Sequence, residues 1–224
     1  MENRFVRNPV TPDEQRSLRG SRILVTGCGG LGGYVIEYLA RLGVGHIVCA
    51  DDGTFQESDM NRQLLSEPAV LGKSKAICAK ERVLRIAPGA DVQAAELYID
   101  ATSLPGLLRG CDLAVDALDN TETRKALYAA ASQTGVPVVH AAVSGWWAQA
   151  AYVPPGGTLP HMLCREDTPG DPIRVMPFTP GLAAAVQAAY AARCLLGYPC
   201  DGDLHVWNLQ TMEYKRLQMP TKGP

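Results

Sequence analysis

The chain contains no apolar run of about eighteen residues, the length a helix needs to cross a bilayer. Its first residues, Met1-Glu2-Asn3-Arg4-Phe5-Val6-Arg7, lack the apolar stretch of a secretory signal. These two absences predict a cytoplasmic protein that is neither exported nor membrane-spanning. Net charge is also scarce, at −2, so nothing points to nucleic acid as the main ligand. The seven cysteines (Cys28, Cys49, Cys78, Cys111, Cys164, Cys194 and Cys200) form no C-x-x-C pair. An odd, scattered set argues against a disulfide scaffold and against a four-thiolate zinc site. Internal repeats and a domain-sized linker are absent too, and 224 residues with 46% apolar and 20% charged side chains suit one domain spanning 1–224.

What is present is an alternation of short apolar runs with helix-like periodicity. Residues 23–25 read as a buried strand. A helix follows over 31–42, with Leu31, Val35, Tyr38, Leu39 and Leu42 on one face and Gly43 as its stop. Strands are expected at 46–50, 92–97, 112–117, 136–140 and 148–153, with helices over 73–86 and 122–134. Residues 154–180, rich in proline, read as a long irregular connection. An alanine-rich helix over 181–196 and a hairpin of 204–208 with 212–217 complete the chain. The expected fold is α/β: a Rossmann-like, doubly wound, mostly parallel sheet with helices on both faces and an antiparallel C-terminal extension.

Gly27-Cys28-Gly29-Gly30-Leu31-Gly32-Gly33 lies between the first strand and the first long helix, with Gly27, Gly29 and Gly32 in the G-x-G-x-x-G pattern. Glycines there permit a tight turn and let backbone N–H groups approach phosphate at the positive end of a helix. Asp51, at the end of the next strand, stands where an acid accepts hydrogen bonds from ribose. NAD, FAD, S-adenosylmethionine and ATP can all use such a loop, so the motif alone does not choose among them.

The segment Asp51 to Leu65 (DDGTFQESDMNRQLL) and then Leu71-Gly72-Lys73-Ser74-Lys75 narrow the choice. With Asp116 to Arg124 (DALDNTETR) and Arg4-Phe5-Val6-Arg7-Asn8, they resemble the ubiquitin-activating (E1-like) superfamily, most closely the HesA/MoeB/ThiF adenylyltransferases. The order and spacing match from about residue 4 to 217. The resemblance implies adenylylation of the C-terminal glycine of a ubiquitin-like sulfur carrier ending in Gly-Gly, of the ThiS or MoaD kind, by ATP and Mg²⁺ with release of pyrophosphate. The pathway would be that of molybdopterin, tungstopterin or thiamine.

It also implies roles: Gly30 against the nucleotide, Asp51 on the ribose, Arg62 on the β- and γ-phosphates, Lys75 on the α-phosphate, and Asp119 on Mg²⁺ with Asn120 beside the nucleotide. Ser58, Asn61 and Gln63 complete the polar segment around Arg62. Arg7 matches an arginine that reaches the γ-phosphate across a homodimer interface, with residues 1–20 packing on the partner. Asp119 and Asn120 could instead cap the following helix, though the site is the favoured reading. Two other readings stay open: an E1-like enzyme acting on a small-molecule or tRNA-attached carboxylate, and an NAD-dependent oxidoreductase.

The chain departs from the family pattern at three places. Asp59 stands where relatives commonly have Asn, placing a carboxylate near a triphosphate. His161-x-x-Cys164 offers two zinc ligands where a closed site needs four, so no structural zinc is expected. Cys164 is a candidate thioester or persulfide cysteine, though an ordinary loop thiol is the favoured reading. Trp146 and Trp147 could pack in the core or line a channel for the carrier's tail, and packing is favoured. His140 reads as structural, because a carboxylate nucleophile is already ionised at neutral pH.

Overall fold

A computed structural model describes residues 2–157, 159 and 174–219. Eight strands form one sheet in the order β3-β2-β1-β4-β5-β6-β7-β8. The first five are parallel: β1 (Arg22–Thr26), β2 (His46–Ala50), β3 (Asp91–Ala95), β4 (Leu113–Asp116) and β5 (Val138–Ser144). The last three are antiparallel: β6 (Trp147–Val153), β7 (Leu204–Asn208) and β8 (Glu213–Leu217). The expected sheet is therefore present. Its winding reverses between β1 and β4, and in open α/β sheets that reversal opens a crevice at the carboxyl ends of the strands.

Side chains alternate across the strands, so β1 to β7 feed two cores, while β8 (Glu213–Leu217) is exposed along its length. Ile23 and Val25 join a cluster with α1 (Pro12–Gly20), α2 (Gly32–Leu42), α3 (Lys75–Ile86) and α6 (Phe178–Leu195), through Leu18, Val35, Ala79 and Ala184. Leu24 points the other way, toward α4 (Leu104–Leu107) and α5 (Thr121–Thr134), through Leu104 and Leu127. Alanines at 183, 184 and 191, all fully buried, let α6 lie close to the sheet. Gly43 (φ 96°) and Gly135 (φ 72°) end α2 and α5 in the left-handed conformation that glycine adopts without strain.

Several local expectations need correction. Helix α6 begins at Phe178, inside the stretch expected to be irregular; Pro180 sits in its first turn, where the missing N–H has no intrahelical partner to lose. Residues 174–176 are zipped to a turn by Gly145 N–H donating to the Arg174 carbonyl (2.7 Å) and Met176 N–H to the Gly145 carbonyl (3.2 Å). Trp147 does not pack in the core: it is half-exposed, because Ala148 takes the inward position of β6. Trp146 packs on Phe178 instead (ring centroids 5.2 Å apart). Helix α1 is additional to the expected elements, although Thr11 and Glu14 form a capping box readable in the sequence. Cys164 and His161 lie outside the described residues.

A buried polar network joins β4, α5, β5 and β6. Asp116 Oδ2 accepts from Tyr128 Oη (2.7 Å) and His140 Nδ1 (2.9 Å), and Arg124 Nε is 2.9 Å away. Gln149 Nε2 donates to His140 Nε2 (3.1 Å), so the imidazole is the neutral Nδ1–H tautomer. Burial opposes ionisation of Asp116, but Arg124 and the two hydrogen bonds prevail and push its pKa down to about 2. Burial holds the His140 pKa below its usual value despite the Asp116 contact.

Both shifts have the same sign for stability, because the unfolded chain binds more protons on acidification. Stability from His140 is full above its unfolded pKa of about 6.5 and is lost as pH falls below it. That from Asp116, about 2 kcal/mol, is full above about pH 4 and lost as pH falls through about 2. The thermal midpoint should decline below about pH 6.5 and more steeply below about pH 4, and His140→Gln should remove the first decline. An unchanged profile in that variant would count against a buried neutral imidazole.

Candidate nucleotide site

The crevice at the winding reversal is a cleft of about 630 Å³, within the range of small-ligand sites. Its floor is the loop after β1. Gly27 has φ +91°, and a Cβ there would lie 2.7 Å from the Ala117 carbonyl oxygen at the end of β4. A Cβ on Gly32 would lie 1.8 Å from the Gly27 carbonyl oxygen. These positions need glycine because backbone meets backbone. Leu31, at the N-terminal cap position of α2, makes no side-chain cap bond, so its side chain does not neutralise the positive end of the helix.

Asp51 is held by two amides: Oδ2 accepts from Cys28 N–H (2.7 Å) and Oδ1 from Gly53 N–H (2.7 Å). Each oxygen keeps a further lone pair for a ligand hydroxyl. Arg62 Nη1 donates to the Ser58 carbonyl (2.9 Å) and to Asn61 Oδ1 (3.0 Å). Lys75 opens α3, where Ser74 caps the helix by accepting from Ile77 N–H (3.3 Å). Asp59, nearly buried, lies 3.3 Å from Lys75 Nζ and 3.6 Å from Arg62 Nη2, and accepts from Gln63 Nε2 (2.6 Å). The carboxylate that looks out of place in the sequence is thus compensated by both cations.

Of the residues singled out from sequence, Gly27, Gly29, Gly30, Asp51, Arg62, Gln63, Lys75, Asp119 and Asn120 line this cleft. Gly32 lies beneath the floor, and Ser58 and Asn61 reach the cleft only through Arg62. Asn120 is both cap and wall: Oδ1 accepts from Thr123 N–H (2.8 Å), leaving its amide N–H groups for a ligand. Arg7 is exposed and absent from its own chain's cleft. The segment carrying it packs on α2, with Phe5 against Gly43 and Arg4 donating to the Ala40 carbonyl.

Tyr98, Ile99, Leu118, Arg124, Val143, Val175 and Pro180 also line the cleft, and sequence reasoning assigns them no role. Tyr98 and Ile99 follow β3, and the rule that α/β ligands sit beyond the strands' carboxyl ends could have found them. Arg124 closes the Asp116-to-Arg124 motif. Val175 and Pro180 have no local signal, because long-range folding brings them there.

The arrangement fits a nucleoside triphosphate: an uncapped helix start, a glycine floor, an amide-held carboxylate and two cations. Among the described residues no group of three or more His, Cys, Asp or Glu could hold a metal ion. Asp119 alone, exposed on the wall, suits Mg²⁺, which typically takes one or two carboxylates together with substrate phosphates. Among the described residues no helix is long and apolar enough to cross a membrane. Gly32→Ala should cost at least about 2 kcal/mol of stability and weaken nucleotide binding, since the Gly27 carbonyl must move. Denaturant unfolding and ATP titration test this, and native values for both would contradict the close approach.

Comparison with known proteins gives the family. The chain is 32% identical over 225 residues to the SAMP-activating enzyme E1 of Haloferax volcanii, covering 97% of this chain and 83% of that protein. It is 28% identical to the molybdopterin-synthase adenylyltransferase of Escherichia coli (92% and 86% covered) and 28% identical to the sulfur carrier protein adenylyltransferase of Thermus thermophilus (93% and 82%). Among solved structures, E. coli MccB with ATP shares the fold at a TM-score of 0.85 and 21% identity, over 97% of this chain and 71% of that one. The ThiF family model matches residues 3–224, and the chain belongs to the ThiF family.

Proposed function

We propose that this ThiF-family adenylyltransferase uses ATP and Mg²⁺ to adenylylate the C-terminal glycine carboxylate of a ubiquitin-like sulfur carrier in the cytoplasm, releasing pyrophosphate. The observation that carries the reading is the pair of cations, Arg62 and Lys75, converging on a glycine-floored cleft beside Asp51. Hydride transfer from a nicotinamide develops no new charge on phosphate, so it gives less reason for two cations there. The relatives named for SAMP, molybdopterin synthase and a sulfur carrier support a protein acceptor over a small carboxylate.

In this reading the carrier's carboxylate attacks the α-phosphorus, an acyl–phosphate bond forms, and the bond to pyrophosphate breaks. Negative charge grows on the phosphate oxygens and on the leaving group. Lys75 stabilises the first and Arg62 the second by preorganised charge. Asp51 holds the ribose hydroxyls, Gly30 lets the backbone approach, and the free amide of Asn120 orients the nucleotide. Asp119 would hold Mg²⁺, which when bound neutralises phosphate charge. No general base is required, consistent with His140 lying fully buried as a structural group.

Arg7 belongs to the same proposal. Exposed and outside its own cleft, it serves the γ-phosphate of a second protomer in a homodimer.

ATP–pyrophosphate exchange with carriers ending in Gly-Gly is the test. Exchange should depend on the carrier, and Lys75→Ala should lower it by at least about 10²-fold. Carrier-independent nicotinamide reduction would refute the reading. Mixing the inactive Arg7→Ala and Lys75→Ala proteins should restore part of the activity through heterodimers holding one intact site. Failure to complement would place Arg7 outside the machinery.

A further inference from the structure

Asp59 differs from the other carboxylates of the cleft region. Its side chain is only 8% exposed, yet it contacts both cations expected to bear on phosphate. Oδ2 accepts from Gln56 N–H (3.0 Å) and faces Lys75 Nζ at 3.3 Å; Oδ1 accepts from Gln63 Nε2 (2.6 Å) and faces Arg62 Nη2 at 3.6 Å. Lys75 is confined on other sides as well. Its ammonium lies over the buried Phe55 ring, 5.7 Å from the centroid, and its stem passes Gly53, where a Cβ would approach Cδ to 3.7 Å.

We propose that Asp59 is a positioning residue for adenylyl transfer: an internal counter-charge that holds Lys75 and Arg62 toward the glycine loop before the nucleotide arrives. This rests on the function proposed above. Two cations sharing one small space repel each other, and an anion between them offsets that repulsion. A fixed carboxylate keeps them in place, so less reorganisation is needed when charge develops on the phosphates. The same carboxylate repels a triphosphate. Its two effects therefore have opposite signs, one favouring turnover and one disfavouring binding. Gln56, Gln63 and the two cations fix it tightly enough to serve the first purpose. A residue of purely structural importance would, when replaced, harm both.

Isosteric replacement separates them. In Asp59→Asn the shape and one acceptor oxygen remain while the charge goes; the second oxygen becomes an NH2 group, which the Gln63 amide can meet by turning its unpaired Oε1 toward it. Turnover in carrier-dependent ATP–pyrophosphate exchange should fall about tenfold, and calorimetric binding of Mg-ATP should tighten by about threefold or more. Asp59→Glu keeps the charge but displaces it, so turnover should fall while ATP affinity stays within about twofold of native. Weaker ATP binding in Asp59→Asn, or native turnover in either variant, overturns the proposal. If Asp59→Asn does not fold, the turnover of Asp59→Glu decides alone. If the native chain binds ATP but exchanges with no Gly-Gly carrier, the acceptor reading fails. Calorimetry then still decides Asp59: tightening supports it and weakening overturns it.

Discussion

The close approach of Gly27 to its neighbours governs the rest of the site. Its carbonyl oxygen lies where a Gly32 Cβ would be, and its own missing Cβ leaves room for the Ala117 carbonyl. That contact brings the start of α2 against the ends of β1 and β4 at the place where the winding of the sheet reverses. The positive end of the helix, the carboxylate after β2 and the acidic turn after β4 then face one cleft. Side chains in the loop would push these elements apart, and the groups would no longer converge.

Carboxylates around this cleft are stabilised in three ways that suit three tasks. Asp51 is held by two backbone amides, which orient it without neutralising it by a full charge. Asp116 is fully buried and is kept ionised by Arg124 with Tyr128 and His140, so it ties strands and a helix together beneath the site. Asp59 is balanced by Lys75 and Arg62, two groups whose positive charge faces the cleft. Burial makes the Asp116 and Asp59 arrangements strict, since a carboxylate left without partners in the interior is costly.

Much of this is legible along the chain. The apolar runs and helix stops locate the strands and most helices within a few residues, because period and glycine punctuation are local properties. The glycine loop, Asp51, Arg62, Lys75 and Asp119 are readable for a similar reason: each lies at a short, motif-like spacing from an element end. Less legible are residues whose surroundings come from distant chain. Trp147 reads as a core residue until strand alternation turns it outward, and α6 begins earlier than its proline-containing start suggests. Asp59 reads as an electrostatic fault, since sequence spacing does not show which cations it meets.

By itself the sequence determined the fold class, the glycine-floored nucleotide loop and the residue types available for phosphate, all of which follow from local backbone freedom and hydrophobic period. The tertiary structure decided what those residues do to one another. It made Asp59 a counter-ion for Lys75 and Arg62, let Asn120 cap a helix and face the cleft at once, and left Arg7 outside its own chain's site. The physical reason is that charge interactions and burial depend on distance in space and on exclusion of water, and neither is set until strands far apart in the chain lie side by side.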